Sequence, residues 1–144
     1  MNSKREHKFA AKHEPDAQPD AEIAAALKTR GKGGELACAV AFSIAEELGK
    51  PPGLVGEAAD LLGLRLVKCQ LGLFGYAPVK KIVKPKRPED SALAAAIREA
   101  AAEGRLSCRT AWQIAARFGL RKMAVSSACE ALGQKIKPCQ LGAF

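Results

Sequence analysis

Aromatic side chains are scarce in this 144-residue chain, at 5% of the total. Its core must therefore come from the plentiful Ala, Leu, Ile and Val, which points to helices packed with close backbone approach. Histidine is almost missing as well: His7 and His13 both lie in a polar N-terminal stretch. No base stands near Ser126 or Ser127 in sequence and no carboxylate pair is specified, so no catalytic residue is expected and the chain reads as a non-enzyme. No apolar run approaches the ~20 residues that a membrane helix needs. The opening MNSKREHKFAAKHEPDAQPDA has no hydrophobic segment of secretory type. A cytoplasmic protein without a membrane partner follows as the expectation.

Cysteine is present but in the wrong pattern for a framework. Five is an odd number, and there is no Cys-x-x-Cys. A metal site would need distant thiols to converge, so the reading is reduced, small, buried hydrophobes, with no metal and no cofactor. Cys69 and Cys139, near Lys68 and Lys137, are where thiolate character is worth testing. The run Gly31-Lys32-Gly33-Gly34 lacks the Gly-Lys-Ser/Thr of a phosphate loop and reads as a turn.

What the chain does have is repetition. Residues 21–74 align with 91–144 without a gap, with 19 identities in 54 positions. Ala24–Ala26 match Ala94–Ala96, Gly49 matches Gly119, Val55 matches Val125, and Cys69-Gln70-Leu71-Gly72 matches Cys139-Gln140-Leu141-Gly142. Two copies of one supersecondary unit are implied. The organisation expected is a disordered tail over 1–19, repeat 1 over 20–76, a basic Pro-rich connector over 77–89, and repeat 2 over 90–144.

Charge divides the copies. Repeat 1 (21–74) has six basic and six acidic residues; repeat 2 (91–144) has eight and three, a net +5. Within the connector, APVKKIVKPKRP holds five basic residues and no acid. It reads either as a stiff linker or as an arm that tracks a nucleic-acid groove. Basic residues of the tail (Lys4, Arg5, Lys8, Lys12) are cancelled by its acids, so that tail reads as solvated.

Each repeat reads as helix, helix, turn, helix, strand. Asp20 is a suitable N-cap for a helix over Ala21–Arg30, and a second helix is expected over about Leu36–Leu48. Pro51-Pro52 open the third, which Gly63 ends. A strand follows from Leu64, and Gln70–Tyr76 is a candidate second arm of a wing. In repeat 2 the helices are expected over Asp90–Glu103, from Ser107, and over Arg121–Leu132, with a strand over Gln134–Cys139.

In Arg109–Leu132, the apolar residues Ala111, Ile114, Ala115 and Phe118 mark one helix face, and Val125, Ala128, Cys129 and Leu132 another. Ala115, Gly119 and Val125 have the spacing of a helix-turn-helix. The stretch resembles helix-turn-helix DNA-binding domains, and the element order resembles their winged form. Arg105–Phe118, RLSCRTAWQIAARF, is similar to the N-terminal DNA-binding domain of bacterial molybdate-responsive repressors. The fold class implied is mainly α with minor β, as two tandem winged-helix-turn-helix-like repeats.

The resemblance implies double-stranded DNA as partner and a role as a small bacterial transcription regulator. Removing the buried stripes leaves Arg109, Gln113 and Arg117 on the second helix of repeat 2, with Arg121, Lys122, Ser126 and Ser127 on the turn and third helix. These are the DNA-binding candidates. Repeat 1 offers Gly56, Glu57 and Asp60 instead, which suits a scaffold or pairing role. A homodimer is one arrangement the terminal strand allows. The rival readings are a protein–protein adaptor docking through Phe42 and Trp112, and a thiol- or metal-responsive sensor.

Overall fold

The computed structural model describes residues 18–143, so most of the expected tail, 1–17, lies outside the described residues. Among those described stand six helices and two short strands. In order they are α1 (Ala21–Arg30), β1 (Glu35–Ala37), α2 (Cys38–Leu48), α3 (Pro52–Leu61), β2 (Arg65–Val67), α4 (Ser91–Ala100), α5 (Cys108–Phe118) and α6 (Lys122–Leu132). The protein is mainly α with minor β. Each helix of the first three has a counterpart that begins 70 residues later.

The chain divides into two compact units, at a different place from the expected connector. One unit ends at Cys69 and takes in Leu141–Ala143; the other spans Gln70–Gln140. The segment 70–89 therefore belongs with α4–α6.

In the first unit, Asp20 caps α1 by accepting from the backbone N–H groups of Glu22 (3.0 Å) and Ile23 (3.1 Å). Lys50 Nζ lies 2.9 Å from its other oxygen. Donation from Lys50 is the main cause that holds the Asp20 carboxyl below its ordinary pKa, and the same pair raises Lys50. Ile23 and Leu27 of α1, Ala41 and Ile44 of α2, and Val55, Ala58 and Ala59 of α3 are buried where the three helices pack together. Gly49 joins α2 to α3 at φ 61°, a left-handed conformation that glycine adopts without strain. α2 begins two residues later than expected, because Leu36 is in a strand: β1 pairs in parallel with β2, Leu36 opposite Leu66.

The wing is corrected as well. Gln70–Tyr76 is a series of turns and bends, not a second strand, and Gly72 and Gly75 take positive φ there. Gly56 and Asp60, expected on the surface of α3, are buried. The Gly56 position lies against the main chain of Leu141, whose carbonyl oxygen occupies the place a Cβ would take.

In the second unit, Asp90 caps α4 through the Ala92 N–H (2.8 Å) and Ser107 caps α5 through the Thr110 N–H (3.0 Å). α4 is shorter than the expected Asp90–Glu103, ending at Ala100. Gly119, at φ 63°, turns α5 into α6. Leu93, Ile97, Ala111, Ile114, Val125 and Cys129 are among the buried residues. The strand expected over Gln134–Cys139 is a single parallel bridge, Leu106 to Ile136, closed by hydrogen bonds of 3.1 and 2.8 Å. One further hydrogen bond follows it, from the Cys108 N–H to the Pro138 carbonyl at 3.0 Å.

Candidate nucleic-acid interface

The second helix of this unit, α5, has one apolar and one polar side because its buried residues recur every three or four positions. Cys108, Ala111, Ile114 and Ala115 face inward. Arg109, Gln113 and Arg117, four residues apart, remain exposed in a row along the opposite side. Among the described residues Arg109 and Arg121 have no carboxylate partner, while Arg117 lies over the Phe118 ring at 5.3 Å. Repeat 1 has Ala39, Ser43 and Glu47 at the corresponding places, and Glu47 pairs with Arg30 at 3.0 Å.

Arg121 is exposed at the N-cap of α6, where no side chain caps the free N–H groups. Lys122 is half-buried, with its Nζ 4.5 Å from the centre of the Trp112 ring. That is cation–π distance. Trp112 is itself half-buried, as is Phe42. An open groove of about 810 Å³ runs past Lys86, Arg87, Phe118, Leu120, Arg121 and Lys122.

The outer side of α6 is not a free surface. Ser126 is fully buried, and its hydroxyl donates to the Leu71 carbonyl at 2.6 Å. Ser126 is therefore removed from the set of exposed candidates. Ser127 is half-buried, and its carbonyl accepts from the Lys86 N–H at 3.1 Å. Met123 packs against Gly72, and Glu130 pairs with Lys81. The segment 71–86 thus covers the helix face that subtraction of the buried stripe left open. The signal for this cover is the apolar pair Ile82-Val83 among the connector's lysines: Val83 is buried, though Ile82 is exposed.

Among the described residues no cluster of three metal-ligating side chains occurs. Four of the five cysteines are buried and Cys139 is half-buried. Burial, with the neighbouring Glu130 second, pushes the Cys129 thiol up to about 12, so it stays protonated. Cys69, one of the two residues singled out for thiolate character, is buried as well.

No family model matches the chain, and no curated protein or solved structure matches it.

Proposed function

We propose that the chain is a duplex DNA-binding protein of two helix-turn-helix-like repeats, without the expected wing, in which the second repeat meets the DNA. The observation that carries this is the exposed row Arg109, Gln113 and Arg117 on α5, with Arg121 at the uncapped start of α6. Cations and amides in such a row suit phosphate oxygens, and the N–H groups of α6 add donors at its end. The net +5 of repeat 2 supports the same partner, while repeat 1 is neutral and serves as scaffold.

With Ser126 buried, the contacts are to phosphates more than to base edges, so binding is largely sequence-tolerant. A role in transcription regulation in a bacterial cytoplasm fits this reading. Titration of the pure protein against random duplex at two salt concentrations tests it. Affinity should fall steeply with salt, because each phosphate contact releases counterions. Binding that ignores salt, or no binding, favours the adaptor.

A further inference from the structure

The connector's composition reads as either a plain linker or a nucleic-acid arm. In the structure backbone hydrogen bonds tie it to the rest of its unit at three N–H groups. The Ile82 and Val83 N–H groups both donate to the Gly72 carbonyl, at 2.9 and 3.1 Å, and the Lys86 N–H donates to the Ser127 carbonyl. Val83 is buried beneath this strap. Lys84, Lys86 and Arg87 are exposed along it.

We infer that the connector is a second DNA contact, taking the place that the covered face of α6 would fill in a helix that reads the groove. This rests on the DNA-binding reading above. Lys81 neutralises Glu130, the sole carboxylate of α6. Lys86 and Arg87 share the 810 Å³ groove with Arg121 and Lys122. Arg87 also lines a smaller hollow with Arg98.

Two acids oppose these cations. Asp90 is turned to the α4 backbone, leaving Glu89 as the exposed negative charge not engaged in capping. The balance in the groove favours a phosphate backbone.

The test compares Lys86→Ala with Arg87→Ala in one full-length variant against Lys28→Ala with Lys32→Ala in another. Both pairs are exposed and remove the same charge, but the second pair lies in repeat 1. The first variant should bind random duplex roughly tenfold more weakly at low salt and lose about two from the salt slope. The second should match the wild type. Melting temperature, read for both, separates a lost contact from a lost fold.

Equal losses from the two pairs would mean that net charge alone is sensed, and would overturn the inference. So would an unchanged slope for Lys86→Ala with Arg87→Ala while wild type binds; the DNA-binding reading would then stand without the strap. A wild-type chain with no salt-dependent binding would remove both.

Discussion

The fifth residues of α3 and α6 hold equivalent places, and each meets the same motif. Gly56 faces the Leu141 main chain and Ser126 faces that of Leu71, within Gln-Leu-Gly segments 70 residues apart. In the first unit the carbonyl occupies the volume a Cβ would need. In the second the side chain is kept, and its hydroxyl donates to the carbonyl. One position therefore solves the same docking problem by close approach or by a hydrogen bond, and the residue type decides which. The two α2/α5 faces differ in the same way: Ala39, Ser43 and Glu47 against Arg109, Gln113 and Arg117.

The sharpest break of this comparison is Gly56→Ala. Helix propensity alone would stabilise α3 by about 1 kcal/mol. The clash is with backbone, which gives way poorly, and overpacking costs typically 1–3 kcal/mol. A net destabilisation of up to about 2 kcal/mol is expected in chemical denaturation. Ser126→Ala, which keeps the Cβ and loses the donor, should cost about 1–2 kcal/mol. If Gly56→Ala is stabilising, the close approach of Leu141 is wrong.

A smaller effect separates the second helices. Ser107 caps α5, whereas Ala37 at the same place before α2 makes no side-chain cap, although both have extended backbone. Ser107→Ala should cost about 1 kcal/mol, and Ala37→Ser should stabilise by a similar or smaller amount. Equal and opposite shifts in denaturation midpoint would confirm the equivalence of the two sites.

The smallest concerns pH. Asp20 is capping and paired with Lys50, while Asp90 caps alone. A carboxyl held below its ordinary value contributes stability in full above that value, 3.8, and loses it as pH falls through the folded value. Asp20→Asn should therefore flatten the acid side of the stability profile more than Asp90→Asn. Identical profiles would contradict the Lys50 pairing.

Much of this was legible in the chain because the signals are local. Asp20, Ser107, Gly49 and Gly119 mark helix ends through bonds to residues within a turn, and α1 runs where its cap and periodicity placed it. Non-local pairing was not legible. Leu36 has a helical neighbourhood, yet joins Leu66 in a parallel ladder 30 residues away. Periodicity put Ser126 off the buried stripe of α6. It cannot reveal that Leu71, 55 residues earlier, covers the other side. A stripe identifies one buried face and leaves open what lies on the others.

The proposed difference between the repeats is tested most directly by the salt dependence of duplex binding for wild type and for Arg109→Ala with Arg117→Ala. Both side chains are exposed, so thermal stability should barely change. The slope of log affinity against log salt should fall by about two, one for each lost phosphate contact. A variant that binds duplex with the wild-type affinity and slope would contradict the proposal that α5 of the second repeat carries a DNA-binding face.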